Sequence, residues 1–85
     1  MDMSSFEKVR EILTQSLGLG ERGPRLEPNT ELLGGIPEFD SMAVVHVVSA
    51  LEDSFDILFE DDEINGEVFE TVGTLAAFID GKLGA

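Results

Sequence analysis

One stretch decides the fold: residues 40–56 read DSMAVVHVVSALEDSFD. Its large apolar residues recur at spacings of four, three and four, which places them on one face of an α-helix: Val44, Val48, Leu51 and Phe55. The run of valines could instead indicate a β-strand, because β-branched residues favour strands. Strict alternation of apolar and polar residues is absent, however, and the helical spacing continues to Phe55. We therefore predict an amphipathic helix that begins at Asp40 or Ser41.

The other face of this predicted helix is directed outward. At about 100° per residue, the side of the helix that carries Ser41 collects apolar, polar and acidic residues: Met42, Val45, Ser49, Glu52 and Asp53. The helix is thus expected to bury one ridge and to leave some apolar side chains toward solvent.

A second amphipathic helix is predicted over residues 5–17. One ridge with helical spacing, flanked by Ile12, supports it: Phe6, Val9, Leu13 and Leu17. Gly18 and Gly20 end this helix. Residues 18–40 then contain glycines and prolines that neither a helix nor a central strand would tolerate. We predict a long loop here, wrapped onto the core by its apolar side chains, with a single helical turn at residues 30–33.

The C-terminal part predicts a short helical segment followed by a long one. Residues 56–65 form an acidic linker, and residues 66–70 are long enough only for a short helical turn. Thr71 is suited to cap a last helix that Gly81 and Gly84 end, with these apolar residues: Val72, Leu75, Phe78, Ile79 and Leu83. The predicted fold class is all-α. It is a small four-helix bundle of three main helices and one short helix, with a long loop between helices one and two and residues 1–85 as a single domain.

Charge and composition narrow the function. The net charge is −13, from 18 acidic and 5 basic residues, and no Lys or Arg occurs between residues 26 and 81. Such a surface repels nucleic acids and anionic lipids and steers toward basic protein surfaces. Alternatively, the acidity only keeps the domain soluble. The chain has no cysteine, which excludes disulfides, thiolate metal sites and a cysteine nucleophile.

The start of the chain is the basis for a prediction of location. Residues 1–5 lack the basic stretch and apolar run of a signal peptide, and no apolar run is long enough to span a membrane. We expect a cytoplasmic monomer that binds neither nucleic acid nor membrane.

Ser41 is distinguished by its position. It follows an acid, opens an amphipathic helix and stands at the end of the long loop. The unpaired N–H groups and the positive dipole end of a helix N-terminus favour a phosphate group on such a side chain. The alternative is that Ser41 or Asp40 is simply an N-cap.

The triplet Asp40-Ser41-Met42 at the start of an apolar helix resembles the phosphopantetheine site of acyl carrier proteins. The likeness extends over essentially the full chain and includes these further positions: Val45, Val48, Ala50-Leu51-Glu52, Phe55-Asp56 and Thr71-Val72. On this resemblance the chain is identified as a member of the discrete, stand-alone type of that family.

The resemblance implies a function and its cofactor. A phosphopantetheinyl transferase would move 4'-phosphopantetheine from coenzyme A onto the Ser41 hydroxyl, and acyl groups would then travel as thioesters on the terminal thiol. Asp40 would help to bind the transferase and its magnesium. The protein would therefore be a carrier and not an enzyme, and the missing cysteine is accounted for because the thiol comes from outside.

The same resemblance implies partners and a docking face. The partners would be an acyl-activating ligase or acyl transferase and ketosynthase-type enzymes of fatty acid, polyketide or related biosynthesis. The docking residues would be those of the outward face together with His46: Met42, Val45, His46, Ser49, Glu52 and Asp53. Carriers of this kind usually bear acids early in helix two, whereas Ala43 and His46 stand there. This departure leads us to expect a specialised carrier that serves a dedicated acyl-activating ligase or a small pathway rather than the housekeeping fatty acid synthase.

Two alternative functions compete with this interpretation, a hydrolase and an unmodified interaction module. Ser41 and His46 suggest a hydrolase, but five helical positions separate them by about 140° and a rise of roughly 7.5 Å, too far for a hydrogen bond. No Gly-x-Ser-x-Gly turn surrounds Ser41. The remaining rival is an unmodified acidic helical module that binds a partner helix on its outward face.

The acidic linker resembles half of a calcium loop. Asp61, Glu63, Asn65 and Gly66 match positions one, three, five and six of such a loop. The twelfth position, where the loop needs a bidentate Glu, is Val72. We therefore predict a solvated acidic linker with no built metal site, and loose binding of divalent cations to its carboxylates stays an open alternative.

Overall fold

The structure is a computed structural model that describes residues 4–84, with side chains from Ser5 onward. It contains three α-helices: α1 (Ser4–Leu17), α2 (Ser41–Phe55) and α3 (Val72–Lys82). Two 3-10 helices lie in the connections, at Gly20–Arg25 and Asp61–Glu63. The predicted all-α bundle with a long α1–α2 connection is confirmed. Residues 1–3, on which the signal-peptide prediction partly depends, and Ala85, the end of the predicted domain, lie outside the described part.

Helix α1 packs against both α2 and α3, so the core lies along it. The ridge predicted for this helix is confirmed, and its buried members are Phe6, Val9, Ile12 and Leu13. Leu17 packs against the edge of the same core. Among residues 4–84, no helix has the length and apolar character needed to cross a membrane.

The buried face of α2 is broader than the predicted ridge. Val48 and Leu51 are buried as expected, whereas Val44 and Phe55 are only partly buried at the edge of the core. Val47, which the prediction left out, is fully buried. It precedes Leu51 by four residues, so both side chains lie on the same side of the helix.

The prediction that no helix forms within residues 18–40 is wrong at Gly20–Arg25. Arg22 N–H donates to Leu19 O at 3.1 Å and Leu26 N–H donates to Gly23 O at 3.1 Å, and neither bond needs an N–H from Pro24. The fixed φ of proline also suits a 3-10 helix. This segment lies so close to α1 that a Cβ at Gly23 would overlap the Thr14 side chain.

The single helical turn predicted at residues 30–33 is also wrong. Glu31 forms an isolated antiparallel β-bridge with Thr71. Leu32 N–H donates to Glu70 O at 2.9 Å, and Val72 N–H donates to Thr30 O at 3.0 Å. The distant segment before α3 thus supplies the backbone partners that a local turn would otherwise provide. A turn follows only after Leu32, whose side chain is fully buried.

The short helix between α2 and α3 lies earlier than predicted. Residues 66–69 form a turn, whereas the 3-10 helix occupies Asp61–Glu63. At the start of this 3-10 helix, the Glu60 N–H donates to Glu63 Oε1 at 2.8 Å. Asn65 then accepts the Val68 N–H through Oδ1 at 2.9 Å and brings the chain back to the core at Phe69.

The predicted cap of the last helix is confirmed. Thr71 Oγ1 accepts the Thr74 N–H at 3.0 Å, and Thr74 Oγ1 in return accepts the Thr71 N–H at 3.0 Å. The prediction that Gly81 ends this helix is wrong, because the helix runs through Gly81 and ends at Lys82. Gly84, with φ of 82°, lies beyond it in the left-handed conformation that favours glycine.

Candidate functional site

Asp40 and Ser41 divide two roles between them. Asp40 is the N-cap of α2, and its Oδ1 accepts the Ala43 N–H at 2.8 Å. Ser41 is the first helical residue and is exposed. Capping is therefore done by Asp40, which leaves the Ser41 hydroxyl available for chemistry at the positive end of a 15-residue helix. A phosphate group on this hydroxyl would be electrostatically favoured.

The backbone just before Ser41 is anchored in the core. Ile36 and Phe39 are both buried, and Phe39 N–H donates to Ile36 O at 2.9 Å. The Phe39 ring lies 5.8 Å from the ring of Phe69, centroid to centroid. The exposed serine thus follows within two residues of a fixed aromatic side chain, so its backbone is held in place.

An ion pair also holds the segment before Ser41. Arg22, in the first 3-10 helix, donates from Nη2 to Oε2 of Glu38. This hydrogen bond is the main cause that lowers the pKa of the Glu38 carboxyl, and it raises the pKa of Arg22. The pair links the start of the α1–α2 connection to its end, and the spacing of the sequence gave no sign of it.

The outward face of α2 is accessible along its length. Met42 is 73% exposed and Val45 is 65% exposed, and the polar docking candidates His46, Ser49 and Asp53 are exposed as well. The structure therefore brings these five predicted docking residues to the surface of one helix.

Glu52, the sixth predicted docking residue, is only partly exposed. Its Oε2 accepts the Phe59 N–H at 2.8 Å, so this carboxylate holds the connection that leaves α2. Within the described residues, no hydrogen bond joins Ser41 to His46. Their placement five residues apart on α2 agrees with the separation expected from helical geometry.

A small apolar cavity lies beside α2, between this helix and the α2–α3 connection. Its volume is about 170 Å³. It is lined by Leu33, Val44, Ile64, Asn65, Gly66 and Phe69. Val44 follows Ser41 by three residues on α2, so the cavity opens near the first turn of that helix. Sequence reasoning did not find this site, and its only signal was the apolar Leu33 and Ile64 in segments rich in turn residues.

The acidic linker has structural roles. Glu63 Oε1 lies 2.7 Å from Lys82 Nζ on α3. The pKa of Glu63 is held below its ordinary value of 4.5, first by the hydrogen bond from the Glu60 N–H and then by Lys82. Among the described residues, no group of three or more His, Cys, Asp or Glu is placed to hold a metal ion.

Comparison with known proteins gives the family. No protein-family model matches the chain. An acyl carrier protein of Streptococcus thermophilus is 36% identical over 80 residues, which span 94% of this chain and 97% of that protein. An acyl carrier protein of Streptococcus pyogenes is 38% identical over the same shares of both chains. The solution NMR structure of a holo acyl carrier protein from Nitrosomonas europaea is 50% identical, covers 100% of both chains and superposes with a TM-score of 0.89. The chain therefore belongs to the acyl carrier protein family.

Proposed function

We propose that Ser41 carries a covalent 4'-phosphopantetheine arm, transferred from coenzyme A by a phosphopantetheinyl transferase. The observation that carries this proposal is the exposed Ser41 hydroxyl at the first position of α2, with Asp40 taking the role of cap. In the transfer, the Ser41 oxygen would bond to the phosphorus next to pantetheine, and the pyrophosphate bond of coenzyme A would break. The nucleotide half would leave with the bridging oxygen, and the hydroxyl proton would be released. When bound, the arm supplies the thiol that this chain lacks.

The residues present fit such a group. The helix N-terminus favours the negative phosphodiester, and the anchored backbone at Phe39 fixes where the modified side chain begins. Asp40 is exposed, so its second carboxylate oxygen can meet the transferase and its magnesium while Oδ1 caps the helix. We propose this second role for Asp40 alongside capping.

The cavity beside α2 is proposed to shelter the first carbons of an acyl group. Its lining is mostly apolar, and it begins one helical turn from Ser41. Its volume of about 170 Å³ is close to the roughly 150 Å³ of an apolar cavity that holds one benzene molecule, so it can hold only a few carbons of an acyl group. Longer cargo would have to displace Leu33 or Ile64, which are 42% and 40% exposed and stand at the rim.

Family membership makes this protein a carrier rather than an enzyme, and such a carrier works with biosynthetic enzymes. We propose an acyl-activating ligase or acyl transferase as the enzyme that loads the thiol and ketosynthase-type enzymes as those that receive the acyl group. The chain would act as a single monomeric domain in the cytoplasm. The outward face of α2 would dock these partners, since Met42 and Val45 lie exposed beside Ser41.

Intact mass spectrometry tests the proposal. The protein is expressed without its arm and incubated with coenzyme A and a broad-specificity phosphopantetheinyl transferase. We expect the mass to rise by one phosphopantetheine unit. Ser41→Ala should stay at its sequence mass with an unchanged circular dichroism spectrum, because Asp40 remains the cap. Modification that persists in Ser41→Ala would refute Ser41 as the site, whereas the absence of modification from the unaltered protein would favour the unmodified interaction module.

A further inference from the structure

The turn before Phe69 contains an asparagine followed by a glycine. Asn65 and Gly66 are both exposed, and they belong to the connection between α2 and α3. Asparagine is among the thermolabile residues of proteins, because the nitrogen of the following peptide bond can attack its side-chain amide. A following glycine favours this attack, since it has no Cβ to hinder the approach. The sequence alone indicates only this tendency, and the structure shows whether the nitrogen is free to react.

The backbone nitrogen of Gly66 has no competing partner. Among residues 4–84, the Gly66 N–H takes part in no hydrogen bond. Apart from atoms of its two chain neighbours, no heavy atom lies within 4 Å of the position that a Cβ at Gly66 would occupy. This peptide is therefore open to water, and its nitrogen is available for attack.

The other asparagine of the chain lacks these features. Asn29 is exposed like Asn65, so exposure does not separate the two. Asn29 is followed by Thr30, whose β-branched side chain crowds the nitrogen. The Thr30 N–H also donates to Glu27 O at 3.0 Å, so it is already engaged. Asn29 is thus a control within the same chain.

Two hydrogen bonds hold the side chain of Asn65. Its Oδ1 accepts the Val68 N–H at 2.9 Å, and its Nδ2 donates to Asp62 O at 2.8 Å. These bonds fix the side chain in one orientation, whereas attack requires it to turn onto the nitrogen of Gly66. Both bonds must therefore open before the reaction, and the local stability of this turn controls how often that occurs.

We propose that Asn65 is a site of spontaneous deamidation, at a rate set by the opening of the turn at residues 62–68. The Gly66 nitrogen loses its proton to water and bonds to Cγ of Asn65. The Cγ–Nδ2 bond breaks, and Nδ2 takes a proton from water and leaves as ammonia. Water then opens the resulting succinimide ring at either carbonyl and yields aspartate or isoaspartate. This modification does not depend on the proposed one at Ser41.

The product lies at the cavity beside α2. Asn65 and Gly66 both line that cavity. A carboxylate at residue 65 cannot donate to Asp62 O, and the isoaspartate form adds a methylene to the backbone next to Ile64. Deamidation therefore adds a negative charge and removes a hydrogen bond at the wall of the cavity proposed above for an acyl group.

Peptide mapping by mass spectrometry tests the proposal on the full chain without its arm, incubated at physiological temperature and slightly alkaline pH. We expect a mass gain of about one dalton in the peptide that contains Asn65, at a rate at least about tenfold above that of Asn29. Protein isoaspartyl methyltransferase should methylate the same peptide. Unfolding the chain in guanidinium chloride should raise the rate at Asn65 about tenfold, because both side-chain bonds are then absent.

Gly66→Ala is the matched variant. It should lower the rate at Asn65 about tenfold, because the new Cβ hinders the attack. The variant should keep the circular dichroism spectrum of the unaltered protein, since a Cβ meets no other atom there and φ of Gly66 is not positive. A rate that Gly66→Ala leaves unchanged would contradict attack by this nitrogen.

Three results with the unaltered chain would also overturn the proposal, and none of them depends on a variant. If Asn65 stays unmodified in the folded protein while the unfolded chain reacts, the turn blocks the reaction and the folded protein has no such site. If Asn29 reacts as fast as Asn65, the free nitrogen of Gly66 has no effect. If the folded and unfolded chains react equally fast, the turn does not set the rate.

Discussion

Substitution of Asp40 separates the capping of α2 from the recognition of Ser41. Asp40→Ala removes the oxygen that accepts the Ala43 N–H at 2.8 Å. Loss of an N-cap to alanine costs about 0.5–2 kcal/mol, and because this cap is exposed and water can replace it, we expect about 1 kcal/mol. In a domain of this size, that free energy lowers the melting temperature by about 4–8 °C. Asp40→Asn keeps a capping oxygen and should change the free energy of unfolding by at most roughly 0.3 kcal/mol.

Thermal unfolding followed by far-ultraviolet circular dichroism measures these differences, with Glu67→Ala as the control. Glu67 is an exposed acid in the turn at residues 66–69, so this control removes the same charge without removing a cap. If Asp40→Asn melts as low as Asp40→Ala, the capping argument is wrong and the charge itself stabilises the helix. The rate of modification, followed by intact mass, reports the second role. Both Asp40 variants should be modified slowly, and an Asp40→Asn protein modified at the original rate would refute a role for the charge.

Two further substitutions test the core and the acidic linker. Phe69→Ala should lower the free energy of unfolding by about 3–5 kcal/mol, because Phe69 is 1% exposed and contacts Phe39 and Phe59. Urea unfolding measures this loss. A loss below about 1 kcal/mol would mean that the surrounding side chains collapse into the cavity left by the ring. Glu63→Gln should be less stable than the original protein near neutral pH, and the difference should shrink as pH falls below 4.5, because a carboxyl whose pKa is lowered on folding contributes stability only while it is ionised. Unfolding measured across this pH range decides the point, and a difference that stays constant would show that the charge of Glu63 has no part in it.

The helices could be predicted from sequence because their information is local. Val9 and Leu13 in α1, and Val48 and Leu51 in α2, follow the spacing of a helix, and all four are buried. The prediction missed Val47 because it placed a single row of side chains, which included Val48, against the core. In the structure, α2 contacts the core over a wider face. The spacing of apolar residues therefore predicted the helices α1 and α2 correctly, but it predicted only part of the buried face of α2.

The connections could be predicted less well because their partners are distant in sequence. The β-bridge of Glu31 pairs it with Thr71, which lies beyond α2 and the second 3-10 helix in the sequence. The residues around Glu31 therefore could not indicate this bridge rather than a turn. The ion pairs of Arg22 with Glu38 and of Lys82 with Glu63 have the same character. Turn residues indicate where a helix cannot continue, but they do not indicate what satisfies the backbone afterwards.

The sequence predicted the candidate site from the position of Ser41 at the start of a helix, whereas the structure shows how the side chains around it are arranged. The order of acid, serine and apolar helix pointed to Ser41, but sequence alone left open whether Ser41 or Asp40 caps the helix. The hydrogen bond from the Ala43 N–H settles that question in favour of Asp40. The cavity between Leu33, Val44 and Phe69 could not be predicted, because it depends on how the connection folds back onto α2.

The connections also explain how an exposed serine is held in place. Modification at Ser41, as proposed, requires that the transferase reach this side chain, and Ser41 is exposed. Its position is fixed by the residues before it, through Phe39 in the core and Glu38 paired with Arg22. The α1–α2 connection is in turn held by α3, because Gly73 N–H donates to Pro28 O at 2.7 Å. A change that weakens the hydrogen bond of Gly73 with Pro28 would therefore free the α1–α2 connection, which holds the backbone before Ser41, although the change does not contact the serine itself.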